Sequence, residues 1–541
     1  MIQRISMTLL ISAFAIASIF AQQAPENWFN LDAKQDKVQG LSVEKTYKEL
    51  LKGKTSQTVI VAVIDSGVDA EHEDLKDVMW VNADEIPNNG KDDDNNGYID
   101  DIHGWNFIGG ADGKNVHQDN LEITRLYRDL HKKYKDSDPS SLSKKAKKEY
   151  NKYSKLKKEL EKNRSEAEAQ AAQMVGLHQM FTGALKAVKA VVGEDTELNM
   201  EVLDDIDISE DEALAQGVVM LKNVFANGAT EKDLKELEGA ADYYNSQLNY
   251  HYNPDFDPRD IVGDNYRNSA DRNYGNNDVE GPDAMHGTHV SGIIAASRNN
   301  DIGINGVADN VRIMSIRAVP DGDERDKDVA NAIRYAVDNG ARIINMSFGK
   351  KYSFDKKVVD AAVKYAVKKG VLLVHAAGND GINTDTNIFY PNDRFKNKKR
   401  QAKTWVEIGA LSWEGGENSV APFSNYGSDN VDVFSPGVDL YSTVPNDQYK
   451  ASSGTSMAAP AAAGVAALVM SYYPKLTAKQ VKKVLLDSAI DVEYEVLSPK
   501  GDRVQFYRLC RTGGVINAYE AIKLARKTKG KRRVKTKTPR A

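Results

Sequence analysis

The chain carries a single cysteine, Cys510, in 541 residues, so no internal disulfide can form and the fold must hold without that constraint on its unfolded state. There is no convincing arrangement of zinc ligands either, which removes that metal from the reading. Outside residues 7–20 no second long apolar run appears, so the mature chain is read without a transmembrane span. No cysteine near the amino terminus offers a lipid anchor. The last 19 residues lack acidic side chains but hold 10 Lys or Arg; subtracting 10 from the net charge of -6 leaves -16 for residues 1–522. That segment contains no aromatic residue, so it has none of the stacking surface of a single-strand nucleic-acid binder. It suits anionic envelope lipids or glycans, with an ordinary solvated tail as the plain alternative.

What the sequence does contain begins with an export signal. Arg4 precedes the apolar run, and Ala21-Gln22 is a plausible cleavage junction, giving a signal peptide over residues 1–21. Periplasmic, surface-associated and extracellular locations all fit. Residues 22–58 leave 58 minus 21, or 37, positions before the first core strand, too few for a prodomain that folds alone. With Trp28-Phe29-Asn30-Leu31 and a helical pattern over 43–51, they read as an extension packed on the core. Hydrophobic residues make up 41% of the chain and charged residues 28%, at a mean hydropathy of -0.53, which fits a large core under a well-solvated surface.

Periodicity gives an α/β class. Val329, Ala332, Ile333, Ala336 and Val337 fall on one helical face before Gly340, and a strand from Arg342 to Met346 follows. The pattern repeats with Val359, Ala362, Val363, Ala366 and Val367, then Gly370 and a strand from Val371. Two successive crossovers predict a central, mostly parallel sheet flanked by helices, with functional groups at strand termini. Thr477 and Gln480 form a capping-box pattern before Val481, Val484 and Leu485.

Four short segments carry chemistry. Gly454-Thr455-Ser456-Met457-Ala458-Ala459-Pro460 opens a small-residue helix, placing a serine where the first helical N–H groups have no intrahelical partner. Pro460 is tolerated within the first turn or so. His286, followed by Gly287, begins a buried helical pattern and can serve as the base; Asp65 ends the strand over 59–64 and can orient the imidazole. Asn379 closes the strand from Val371, with a side-chain amide suited to a developing oxyanion. His289, three positions past His286, reads instead as a packed or backbone-bonded histidine.

Together these segments resemble the subtilisin-like serine peptidases, with Asp, His and Ser in that family's chain order. The resemblance covers residues 41–126 and 252–522. It implies a subtilisin-like fold and the catalytic set Asp65, His286, Ser456 and Asn379. It further implies substrate-backbone pairing along Ser347-Phe348-Gly349 and a primary specificity pocket lined by Ala377-Gly378. Met285 stands where that family usually has glycine. The expected activity is endopeptidase hydrolysis of an extended polypeptide through an acyl-enzyme, with no cofactor required for chemistry; the rival is an inactive envelope-binding scaffold. The pair Asp323-Glu324 reads first as surface charge and alternatively as a preference for basic substrate residues.

Asp92, Asp94, Asn96, the Tyr98 carbonyl and Asp100 repeat the one, three, five, seven and nine spacing of a calcium loop, with Gly97 for the bend. His103 stands where the loop's final glutamate belongs. A structural calcium ion is the expectation, and an ion-free acidic turn the alternative.

Between Asp65 and His286 lie 286 minus 65, or 221, positions, which a helical insertion over 127–251 accounts for. Residues 145–168 are strongly charged, whereas Met174, Leu177, Phe181, Leu185 and Val188 mark one buried helical face. Ser209 with Glu212 and Thr230 with Asp233 suggest further helix starts. The expected organisation is a signal peptide (1–21), an extension (22–58), a core in two parts (59–126 and 252–522), the insertion near the active-site rim, and a basic tail (523–541).

Overall fold

The computed structural model describes residues 24–209, 211–396 and 401–532; the signal peptide expected over residues 1–21 and the end of the basic tail lie outside them. The strands are β1 Val59–Asp65, β2 Gly104–Asn106, β3 Val311–Arg317, β4 Ile343–Met346, β5 Leu372–Ala376, β6 Trp405–Leu411, β7 Val433–Pro436, β8 Leu440–Val444, β9 Gln448–Ser452, β10 Ile490–Asp491, β11 Glu495–Leu497, β12 Arg503–Gln505 and β13 Gly514–Val515. Nine of them form one sheet in the order β10-β13-β7-β6-β5-β4-β1-β3-β2. Only the β10–β13 pairing in it is antiparallel.

β1 is nearly all apolar because both sheet faces are covered, and its alternation sorts the two layers. Val59, Val61 and Val63 join the core containing the helices Met285–Ala295 and Thr455–Tyr472. Ala62 and Ile64 join the opposite core, with the helices Asp326–Asp338 and Lys356–Lys369. By the period of two, Asp65 starts on the same face as Val63 and so faces the helix that carries His286. Gly370 terminates Lys356–Lys369 in the left-handed conformation, and Gly340, at φ 86°, turns the chain after Asp326–Asp338. The Thr477–Gln480 capping box is present in both halves.

The stretch before β1 is part of this core. Trp28, Phe29, Leu41 and Val43 are fully buried, and the Trp28 indole donates to the carbonyls of Val438 at 3.1 Å and Asp439 at 3.3 Å. At the other end, residues 523–527, placed by sequence in the basic tail, complete the helix Ala518–Lys527. Thr455–Tyr472 is apolar and long enough to cross a membrane, but it is the buried central helix of the fold.

Residues 123–256 form a separate compact unit. Its 49-residue helix Lys144–Val192 spans both the charged stretch and the apolar stripe. Phe181 and Val188 are buried with Leu203, Val218 and Leu221, while Leu177 and Leu185 pack at the edge. The helix Glu212–Phe225 is capped by Asp211, whose carboxylate accepts from Ala213 and Leu214, rather than by the expected Ser209. An ionised carboxylate beside the first helical N–H groups is the better acceptor.

Candidate active site

Asp65, His286, Ser456, Asn379 and the segment from Ser347 to Gly349 all belong to the sheet-bearing unit, and three of these positions follow directly from strand ends. β1 ends at Asp65, β4 runs into Ser347, and β5 is followed by Ala377, Gly378 and Asn379. β1 pairs with β3 on one side and β4 on the other. Carboxyl ends at such a reversal of strand order are where open α/β sheets hold ligands.

His286 Nδ1 lies 2.6 Å from Asp65 Oδ1, which also accepts the Ser66 backbone N–H at 2.8 Å. The Asp65 side chain is 3% exposed and that of His286 37% exposed, so the pair is anchored inside and open outward. Gly287 permits the approach, since a Cβ there would fall 2.1 Å from the Gly67 carbonyl oxygen and 3.1 Å from Asp65 Cβ. Burial favours a neutral His286 ring, but the charge and hydrogen bond of Asp65, with Asp283 adding, raise its pKa above the ordinary 6.5. His289 is fully buried and bonded through Nε2 to the Lys450 carbonyl at 2.9 Å, and burial pushes its pKa down to about 4. It is the packed histidine the sequence suggested.

Ser456 is the second residue of Thr455–Tyr472. Its hydroxyl donates to the Ser347 carbonyl at 3.1 Å, and among the described residues it makes no hydrogen bond to His286. The Ser347 hydroxyl donates back to the Ser456 carbonyl at 2.8 Å. Pro460 explains that second bond: it lies six residues into the helix, deeper than the first turn, and has no N–H for the carbonyl four positions earlier. Ser347 supplies the missing donor, and the serine is locked to the end of β4. Asn345 Nδ2 in turn donates to the Ser347 hydroxyl at 3.0 Å.

Asn379 Oδ1 accepts the Thr455 N–H at 2.9 Å and its hydroxyl at 2.8 Å. Two donors on the oxygen fix which way the amide faces, and the residue is exposed. Asn425, which sequence reasoning did not single out, holds the neighbouring wall: its Nδ2 donates to the Ala377 carbonyl at 2.9 Å, and its Oδ1 accepts from Asp380 and Ile382. Ser347 is buried, Phe348 half-buried and Gly349 exposed. Of the acidic pair beside this segment, Glu324 is only 2% exposed, and burial pushes its carboxyl up; it is not the surface charge expected. The Asp323 carboxylate accepts the Glu122 N–H at 2.7 Å.

In the acidic loop, carboxylate oxygens of Asp92 and Asp94 come within 4.8 Å of one another and of Glu85. Hard oxygen donors so grouped fit a calcium-like cation. Glu85, seven positions ahead of the loop motif, was missed, and its spacing gives no signal. Asp100 is not in the group; its two oxygens face the N–H groups of Asn89 at 3.1 Å and Gly90 at 2.8 Å. The Asn96 amide oxygen is turned to the Tyr98 N–H at 2.8 Å.

Asp65 at the end of β1 pairs with helix-borne His286 at 2.6 Å, and Ser456 opens a second helix bonded to the end of β4. The chain belongs to the subtilase family, whose profile matches residues 56–513. It is 34% identical over 296 residues to a protein named thermophilic serine proteinase from Bacillus sp. (strain AK1), covering 54% of this chain and 62% of that one. Subtilisin DY of Bacillus licheniformis is 36% identical over 209 residues, 38% of this chain and 71% of its own length. Alkaline elastase YaB of Bacillus sp. (strain YaB) is 35% identical over 239 residues, 44% of this chain and 55% of its own length. The chain therefore spans less than two thirds of the first and the third of these relatives.

Proposed function

We propose that this chain is an exported serine endopeptidase that cleaves extended polypeptides through an acyl-enzyme at Ser456. The observation that carries the reading is the 2.6 Å Asp65–His286 contact, in a unit where Ser456 is held to the end of β4 and Asn379 to Thr455. His286 Nε2 takes the Ser456 proton as the hydroxyl attacks the scissile carbonyl, and Asp65 stabilises the imidazolium. The Asn379 amide nitrogen and the Ser456 backbone N–H, free of intrahelical demand, receive the oxyanion. His286 then protonates the leaving amine and activates water for deacylation. The hydroxyl resting on Ser347 has to turn to His286, in keeping with catalytic hydrogen bonds that tighten only with substrate bound. Substrate backbone would pair along residues 347–349, with Ala377 and Gly378 beside the primary side-chain pocket.

The test is a serine-directed phosphonate probe on the mature protein, together with Ser456→Ala. Labelling of Ser456 that vanishes on denaturation, and loss of peptide cleavage in the folded Ala variant, are expected. No labelling of folded, processed protein would favour the inactive scaffold instead.

Glu85, Asp92 and Asp94 would hold a structural calcium ion, which contributes stability and no step of the reaction. The basic carboxy-terminal end would contact an anionic envelope surface. Its described residues support this, since Lys523, Arg526 and Lys527, together with Lys54, line a groove of about 440 Å³ with Leu50 and Ile522. Retention on anionic but not zwitterionic vesicles, lost when Lys523→Gln, Arg526→Gln and Lys527→Gln are combined, is the corresponding measurement.

A further inference from the structure

We infer that Arg317 is a positioning residue for this reaction, fixing the loop that aims Asp65 at His286. The inference rests on the aspartate–histidine–serine reading above and extends it. Arg317 ends β3 directly beside Asp65 in the parallel register, so the two side chains leave the sheet from the same face. It is 1% exposed. Even so, its hydrogen bonds go to neutral oxygens: Nε donates to the Ser66 carbonyl at 2.7 Å, Nη1 to Asn106 Oδ1 at 3.2 Å, and Nη2 to the Val116 carbonyl. Burial brings the guanidinium down to about 10, with Asp278 and Asp283 acting against that fall. Burying a cation without a directly bonded carboxylate is costly, so the position demands an account beyond packing.

The geometry of Ser66 provides one. This residue is gripped at both ends, its N–H by Asp65 Oδ1 at 2.8 Å and its C=O by Arg317. Asp65 Oδ1 therefore has two donors, Ser66 and His286, and the direction in which it meets the imidazole depends on where the Ser66 peptide is held. The next residue matters equally. The Gly67 carbonyl is the surface on which Gly287 sits, with room for no Cβ, so a shift of residues 65–67 moves the carboxylate and the seat of the His286 helix together. Gly281 leaves the slot that the guanidinium fills, since a Cβ there would fall 2.2 Å from Arg317 Nε. A planar fork reaching three oxygens on three chain segments is a task that a lysine ammonium cannot reproduce.

The experiment uses the full processed protein with Arg317→Lys, which keeps the charge and loses the fork, and Arg317→Gln, which loses the charge. Ser456→Ala is run alongside. Folding is followed by circular dichroism melting, and kcat and KM on a short peptide are normalised to sites titrated with a serine-directed phosphonate. We expect kcat of Arg317→Lys to fall about tenfold or more with KM within about twofold, the signature of an interaction made in the transition state. We also expect the acid limb of kcat/KM to move to lower pH in that variant. The charge is retained, so such a shift reports weakened Asp65 support of His286 rather than removal of a cation. In Arg317→Gln the loss of kcat should be at least as large. An Arg317→Lys protein with unchanged kcat and an unchanged acid limb overturns the inference, whether or not Arg317→Gln folds. A rise in KM alone overturns it too, by placing Arg317 in substrate binding. Turnover surviving in Ser456→Ala would instead overturn the serine mechanism itself, whereas an inactive Ser456→Ala beside unperturbed Arg317 variants would sink only the present inference.

Discussion

Replacing Trp28 by alanine tests whether the segment ahead of β1 is structure or a removable leader. The side chain is fully buried in the same core as the Ser456 helix, and its indole N–H serves two backbone carbonyls. Truncating a buried aromatic side chain to alanine costs about 3–5 kcal/mol. Stranding the carbonyl partners adds roughly 1 kcal/mol. The expected loss, about 4–6 kcal/mol, is about a quarter or more of the margin of a typical domain, about 5–15 kcal/mol. The measurement is urea unfolding followed by circular dichroism, made in the Ser456→Ala background to prevent self-digestion, with the free energy taken from the midpoint at constant slope. An unchanged midpoint in that inactive background, or a purified active enzyme that begins after Trp28, refutes the argument.

The raised pKa of His286 places the acid limb of kcat/KM above pH 6.5, because the base must be neutral to accept the serine proton. Stability runs the other way: the Asp65–His286 contribution is fully present below the unfolded value near 6.5 and is lost as pH rises through the raised folded value. A pH series of initial rates and of melting temperatures checks both signs, and an acid limb below 6.5 would contradict the pairing. Chelation of calcium should lower the melting temperature and promote cleavage near residues 85–94, since a ligand held only by the folded state stabilises it. Glu85→Ala and Asp94→Ala should each abolish that response while Asp100→Ala retains it; identical melts with calcium and chelator count against the ion. For the inserted unit we propose a restriction of substrate access: with residues 127–251 replaced by a flexible connector, tetrapeptide cleavage should persist within about tenfold, or about 1.4 kcal/mol, while selectivity between that peptide and a folded protein changes. Unchanged selectivity would reject the gating role.

What the sequence displayed of this site is what strand ends and helix starts display. Asp65 and Asn379 sit where an apolar run stops, and His286 and Ser456 where small residues open a helix, so local pattern marks all four. The supports are contributed by distant chain and carry no local signature. Arg317 looks like the polar end of an ordinary strand, and its grip on Ser66 exists only because β3 lies beside β1, 251 positions away. Asn425 reaches Ala377 across 48 positions, and Glu85 joins the acidic loop from outside its repeat. The alternating spacing of Asp92 to Asp100 was legible, but which carboxylates converge is set by the path of the loop, and Asp100 is turned to Asn89 and Gly90. Glu324 misled because an acidic pair in a polar stretch reads as exposed unless its burial is known.

The first and last parts of the chain close on each other. Asn517 Nδ2 donates to the Ser42 hydroxyl across 475 positions, and the Ala518 N–H to the Leu41 carbonyl. Time enters here, because a polypeptide made from its amino terminus cannot complete this core until residue 518 has been added. Long-range closure of this kind folds slowly, and until it happens the buried surface under Trp28 and the Ser456 helix has no lid. The order of synthesis therefore delays assembly of the site until residue 518 has been made.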